Sequence, residues 1–151
     1  TAQRRAEVGG MMWAELDFER GLWSIPSARH KQKRGHEVPL PPAAMDIITP
    51  LPRHCDWLFS TTRKSPISGF GKFKERIDKA TGVTDWRLHD VRRTAATRMA
   101  EFQIPRFVIG RVLGHSDTSI TATYDRASYR GEKLEALETW VMFLNELGNR
   151  I

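Results

Sequence analysis

The stretch Arg87-Leu88-His89-Asp90-Val91-Arg92-Arg93-Thr94-Ala95-Ala96-Thr97-Arg98-Met99 constrains this chain more than any other. Leu88, Val91, Ala95 and Met99 recur at helical spacing, so a helix with one apolar stripe is expected from about Leu88 to Phe102. His89 and Arg92 lie three residues apart near its start, and residues at that spacing share a helix face. The helix therefore has to bury one side while holding an imidazole and a guanidinium together. A second histidine follows in Leu113-Gly114-His115-Ser116, and Tyr124 comes nine positions later. His, Arg, His and Tyr supply an anion clamp, proton carriers and a nucleophile, the parts needed to cut a phosphodiester.

Length and composition narrow the surroundings of this stretch. With 151 residues, 40% of them hydrophobic and five tryptophans among them, the chain is one domain with a core of its own. A net charge of +6 and a pI near 9.9 point to a polyanionic partner, nucleic acid first, although charge alone fits a merely soluble basic protein as well. The single cysteine, Cys55, excludes an internal disulfide and a cysteine-based zinc site, and suits a structural thiol in a reducing compartment. No apolar run is long enough to span a membrane, and no signal peptide is evident.

In chain order, residues 1–15 read as a turn and then a helix, with Val8, Met11 and Met12 spaced for one buried face. Arg4 and Glu7 are at i and i+3. Taken alone they are an ordinary surface ion pair worth under about 1 kcal/mol. Arg5 is the rival candidate to Arg4 and is placed on the surface. Residues 16–40 read as a hairpin or small antiparallel sheet, with Leu16, Phe18, Leu22, Trp23, Ile25, Val38 and Leu40 as strand positions and Gly21 and Pro26 as punctuation. The run Arg29-His30-Lys31-Gln32-Lys33-Arg34-Gly35-His36 between them looks like a solvated basic turn. A short helix from Ala43 to Leu51, entered through Pro41-Pro42, turns Met45, Ile48 and Leu51 inward. Trp57-Leu58-Phe59-Ser60 is a strand or a packed connector.

Phe70 to Ala80 form an amphipathic helix stopped by Gly82, with Phe70, Phe73 and Ile77 expected in the core. Its Lys72, Lys74, Arg76 and Lys79 face outward and suit solvent or DNA phosphates about equally. Pro105 opens a helix with Phe107, Val108, Ile109, Val112 and Leu113 inside, ended by Gly114. A short helix follows over residues 119–124, capped by Asp117, Thr118 or Ser119. The last helix, Tyr129 to Leu147, carries the stripe Leu134, Leu137, Trp140, Val141, Leu144 and Leu147, which must pack on its own domain or on a neighbouring subunit. The expected fold is mostly α with a small antiparallel β-sheet, an α+β domain.

Together these pieces resemble the tyrosine recombinase family, the phage-type integrases, nearly end to end. The family's Arg, His-x-x-Arg, Leu-Gly-His and Tyr are matched in order at Arg4, His89 to Arg92, Leu113 to His115 and Tyr124. Its Thr-Gly-x-Arg-x-x-Glu corresponds to Thr1 through Glu7, with Ala2 in place of the glycine. Its Lys-x-x-Arg-x-His-x-Val-Pro-Leu corresponds to Lys31, Arg34, His36 and Val38-Pro39-Leu40. A fixed order over long spacings is more specific than any single piece. The resemblance implies the DNA breaking-rejoining fold, with residues 1–151 forming a single catalytic domain. The start at Thr1-Ala2-Gln3-Arg4, without a methionine, suggests a piece of a longer protein. Family members carry DNA-binding domains before this point, which would be absent here.

On the same resemblance, Arg4 and Arg92 clamp the scissile phosphate with the paired donors of their guanidiniums. Tyr124 attacks phosphorus and becomes linked to the 3′-phosphate. A phenol with a pKa of about 10 needs a base or a strongly positive site to do so. His89 is then the base, His115 donates to a non-bridging oxygen, and Lys31 protonates the leaving 5′-hydroxyl. The family pattern favours Lys31 over Lys33, the alternative should a residue of register slip at the hairpin tip. Glu7 supports an active-site arginine or histidine. Tyr129, the only other tyrosine, is the rival nucleophile but lies fourteen residues past His115, off the family's spacing. No metal, cofactor or ATP is expected.

The implied function is a site-specific recombinase or integrase of a bacterial or phage-derived mobile element. It would act in the cytoplasm on double-stranded DNA attachment sites, as a tetramer on DNA and a monomer or weak dimer without it. The alternatives are a type IB topoisomerase-like enzyme and a DNA-binding module that has lost catalysis. Lys31, at a polar hairpin tip, is expected to be disordered or swung away when DNA is absent.

Overall fold

Three antiparallel strands sit at the centre of the chain in the computed structural model, which describes residues 1–31, 33–115 and 127–149. They are β1 (Leu16–Asp17), β2 (Leu22–Ile25) and β3 (His36–Pro39), in the order β1-β2-β3. The register sets Trp23 opposite Leu16 and Val38, and Ile25 opposite His36. Gly21, at φ +57°, supplies the left-handed turn between β1 and β2, and the Arg20 N–H donates to Asp17 Oδ1 at 2.9 Å. Trp23 is fully buried, and its indole N–H donates to Glu15 at 3.0 Å, which satisfies the one polar atom the ring brings inside.

Helices cover this sheet. Among the described residues they are α1 (Arg5–Gly9), α2 (Pro42–Ile48), α3 (Phe70–Thr81), α4 (Leu88–Glu101), α5 (Arg106–Val112) and α6 (Arg130–Gly148). α4, α5 and α6 pack on one another, and α6 also lies against β3. The shared core draws Ala95 and Met99 from α4, Val108 and Val112 from α5, and Ala136 and Leu137 from α6, onto Trp23, Ile25 and Val38 of the sheet. The first half of α6 thus folds onto its own domain. A bridge from Met12 to Trp57, with the Leu58 N–H donating to the Met11 carbonyl at 2.8 Å, makes residues 57–60 a packed connector.

Four expectations need correction. On α4 the inward positions are Arg92, Ala95 and Met99, while Val91 is 54% exposed. Ala95 and Met99 are buried as expected, but Arg92 replaces Val91 on the inward face, so its guanidinium points into the domain where an apolar side chain was expected. On α3, Phe73 and Ile77 are exposed, not buried. That helix meets α1 through Phe70, which lies against Gly9 and under the Arg5 guanidinium, while the Trp86 indole N–H donates to Asp78 at 2.8 Å and ties α3 to the loop that follows it. Phe107 on α5 is also exposed, its ring meeting Tyr129 edge-on at 5.6 Å. The stripe on α6 stops early, because Leu144 and Leu147 lie beyond the part that α4, α5 and β3 support. The helix expected over residues 119–124, its caps Asp117, Thr118 and Ser119, and Tyr124 lie outside the described residues.

Candidate active site

Arg92 ties the site together. Its side chain is buried, with Nη1 donating to the Ala2 carbonyl at 2.7 Å and Nη2 donating to the Leu113 carbonyl. One guanidinium thereby joins the N-terminal turn to the end of α5. Burial pushes its pKa down to about 10, the neighbouring Arg4 pushes the same way, and Glu7 opposes both. It stays charged at neutral pH. Ala2 takes a left-handed φ of +53°, the conformation for which glycine is the ordinary choice, and so presents its carbonyl to Arg92.

Arg4 stands at the entry to α1 and is fixed by Glu7, which is 3% exposed. The Glu7 carboxylate accepts the Arg4 backbone N–H at 3.0 Å and Nη1 of the same residue at 2.8 Å. Arg4 Nη1 is also 3.3 Å from His30 Nε2. Arg5 lies on the surface with its guanidinium over the Phe70 ring at 5.1 Å.

A cleft of about 590 Å³ opens above these groups. Arg4, Lys31, His89 and Arg92 line it together, with Gln3, Lys74 and Arg87 beside them and Phe70 and Leu88 as apolar wall. Its described lining holds six cations, counting Arg5, and no carboxylate. Such a cleft concentrates anions and rewards a ligand that carries its charge on oxygen. Lys31 is exposed and stands among the residues that line the cleft. Lys33, in a left-handed conformation at φ +51°, is not among the lining residues.

His115 follows the left-handed Gly114 (φ +60°) that ends α5, and its N–H donates to the Gly110 carbonyl at 2.9 Å. It is exposed, beside the described lining and not within it. Desolvation, then Arg92 and Arg4, push its pKa below the ordinary value. Its imidazole is accordingly neutral at pH 7 and keeps one N–H to donate. Gly114 has no room for a side chain, because a Cβ there would lie 2.7 Å from His30 Nε2 and 3.1 Å from His36. Gly114→Ala is expected to cost about 1–3 kcal/mol through strained φ and displaced rings, read as a lower midpoint in urea unfolding. An unchanged midpoint would contradict this packing.

His36 packs beside His30, ring centroids 5.1 Å apart, with Nε2 3.3 Å from the Val112 carbonyl. Burial, then Lys133 and His30, push its pKa down to about 4. A histidine depressed on folding binds fewer protons folded than unfolded, so stability is lost as pH falls from about 6.5 toward 4. His30 and His115 shift in the same direction. Screened by solvent, the His36 contribution should be on the order of 1–2 kcal/mol. Urea midpoints should fall across that window, and His36→Gln should flatten the slope. A slope unchanged by that substitution would count against the assignment.

Tyr124 lies outside the described residues. Tyr129 caps α6 against Phe107, with Arg111 over its ring at 5.3 Å, and does not line the described cleft. Sequence reasoning missed two buried polar residues here. Gln3 donates to the Val112 carbonyl at 2.8 Å, and His30 lies under Arg4. Neither carries a periodic signal, and His30 sits inside a run whose composition suggests solvent. Among the described residues no group of three or more His, Cys, Asp or Glu is placed to hold a metal, and no helix is long and apolar enough to cross a membrane.

Arg4 and Arg92 thus meet in a cation-lined cleft of an α+β domain, with no carboxylate in its described lining, an environment that favours an anionic ligand. Residues 1–130 match the model of the phage integrase family, and the chain belongs to that family. It is 29% identical over 145 residues to the prophage integrase IntA of Escherichia coli K12, covering 93% of this chain and 35% of that protein. It is 26% identical over 162 residues to the integrase of Shigella phage Sf6, covering 97% and 40%. To the tyrosine recombinase XerA of Pyrococcus furiosus it is 24% identical over 162 residues, covering 98% and 54%. The chain thus spans between about a third and just over half the length of these relatives. No solved structure matches it.

Proposed function

We propose that this chain is the catalytic domain of a site-specific DNA recombinase, which breaks and rejoins double-stranded DNA through a phosphotyrosine. Residues 1–151 act as one domain. Arg4 and Arg92 hold the non-bridging oxygens of the scissile phosphate, and Glu7 keeps Arg4 in place. Tyr124 loses its proton to His89, and its oxygen forms a bond to phosphorus. The P–O5′ bond breaks, and the departing oxygen takes a proton from Lys31. His115 donates to a non-bridging oxygen as charge builds on it. The bond energy kept in the 3′-phosphotyrosine lets a 5′-hydroxyl from either duplex reverse the step, so no nucleotide cofactor enters. Strand exchange between two duplexes needs several protomers, and a tetramer on DNA is the assembly that fits.

The observation that carries this reading is the meeting of Arg4, Lys31, His89 and Arg92, distant in sequence, in one cleft with no carboxylate in its described lining. The Lys31 hairpin favours recombination over a topoisomerase-like activity, and the complete set of residues argues against a module that only binds. The test is a duplex nicked just 3′ of the cleavage position, so that the released fragment diffuses away and the covalent adduct accumulates. A protein–DNA band that survives denaturation is expected. Binding without any such band would leave only the DNA-binding alternative.

A further inference from the structure

We infer that His30 is a positioning residue that locks the start of the hairpin onto the phosphate clamp and so delivers Lys31 to the leaving oxygen. This rests on the reading of Lys31 as the proton donor. The loop between β2 and β3 is exposed at Lys31, Lys33, Arg34 and Gly35, yet His30 is 5% exposed. The imidazole is packed on three sides, with Nδ1 left without a hydrogen-bond partner. Nε2 is 3.3 Å from Arg4 Nη1 and 3.7 Å from Glu7 Oε1. The ring fills the space left by the missing side chain of Gly114, next to His115, and rests beside His36.

The backbone is held as well. The N–H groups of Arg29 and His30 both donate to the Pro26 carbonyl, at 3.0 and 3.1 Å, and the Lys33 N–H donates to the His30 carbonyl at 2.9 Å. Arg29 is pinned separately, pairing with Glu15 and donating to the Glu7 carbonyl at 3.4 Å. With residues 29 and 30 fixed, the freedom left to Lys31 is chiefly that of its own side chain. Histidine suits the position chemically. Burial pushes its pKa down, Arg4 and Arg92 push the same way, and Glu7 opposes them. In the tautomer that carries its proton on Nδ1, the neutral ring accepts from Arg4 Nη1 at Nε2 without adding charge to the clamp, whereas an aliphatic side chain would leave Arg4 Nη1 with Glu7 alone.

Loss of a proton donor has a signature that general damage lacks. Replacing the bridging 5′-oxygen of the scissile phosphate by sulfur gives a leaving group that departs without a proton. The test compares single-turnover cleavage of 5′-oxygen and 5′-sulfur duplexes by the full-length protein. The duplex is one selected from a random-sequence pool by covalent capture on the unsubstituted protein. Lys31→Ala should slow the oxygen substrate about 100-fold or more and the sulfur substrate little. His30→Ala should show the same pattern at about 10- to 100-fold, with DNA affinity unchanged. His30→Gln, whose amide oxygen can accept from Arg4, should recover most of the rate. Equal slowing of both substrates by His30→Ala and His30→Gln, or no slowing of either, would overturn the inference. If Lys31→Ala is not rescued by sulfur, the role of Lys31 falls and the inference with it. If the unsubstituted protein captures no duplex, the recombinase reading itself fails.

Discussion

Tyr124→Phe is expected to bind DNA as tightly as the unsubstituted protein and to form no covalent adduct, a loss of at least about a thousandfold in cleavage. The substitution removes one oxygen and leaves the ring, so packing and charge change little. No other group in the site substitutes for it: His89 and His115 would act as proton carriers and Lys31 as an acid. Tyr129→Phe serves as the control. Its ring is held by Phe107 and Arg111 away from the described cleft, and its loss should leave cleavage within a few-fold. Full cleavage by Tyr124→Phe together with loss in Tyr129→Phe would move the nucleophile to Tyr129.

Arg92 should show the second large effect, and it should appear in two separate measurements. Arg92→Ala leaves the carbonyls of Ala2 and Leu113 without their donor inside the domain and uncouples the N-terminal turn from the end of α5. A stability loss of about 2–4 kcal/mol is expected in urea unfolding. Arg92→Lys keeps the charge but lacks the planar fork, so it cannot serve both carbonyls and a phosphate oxygen together. Cleavage should fall by about 100- to 1,000-fold in the lysine variant, and further in the alanine variant. Arg93 is the natural control. Its side chain is 75% exposed and pairs with Asp90 at 3.3 Å, so Arg93→Ala should change stability by under about 0.5 kcal/mol. Equal losses at positions 92 and 93 would refute the special place of Arg92.

The helices that carry the site were legible from simple periodicity, and the reasons are local. Gly82 and Gly114 both adopt the left-handed conformation that ends a helix, and Pro105 opens α5. The strands were legible because Val38-Pro39-Leu40 and Leu22-Trp23 bracket a polar run. The direction in which α4 presents its side chains was not. Val91 is the better apolar residue, but two backbone carbonyls from distant segments draw the guanidinium of Arg92 inward, and no spacing rule contains those partners. The same holds for the basic turn: composition suggests solvent at residues 29–36, while Glu7, Glu15 and the absent side chain of Gly114 take Arg29 and His30 out of it. α3 failed in the opposite sense, since its strong amphipathic pattern meets α1 through Phe70 and leaves Phe73 and Ile77 outside the core.

Locating the covalent bond tests the phosphotyrosine reading most directly. Protein trapped on the nicked duplex is digested with nuclease and protease, and the peptide that retains a 3′-linked nucleotide is sequenced by mass spectrometry. A phosphotyrosine at Tyr124, in the tryptic peptide from Val112 to Arg126 that excludes Tyr129, is the predicted result. A nucleotide on Tyr129, on a serine or lysine, or on no peptide at all would contradict it.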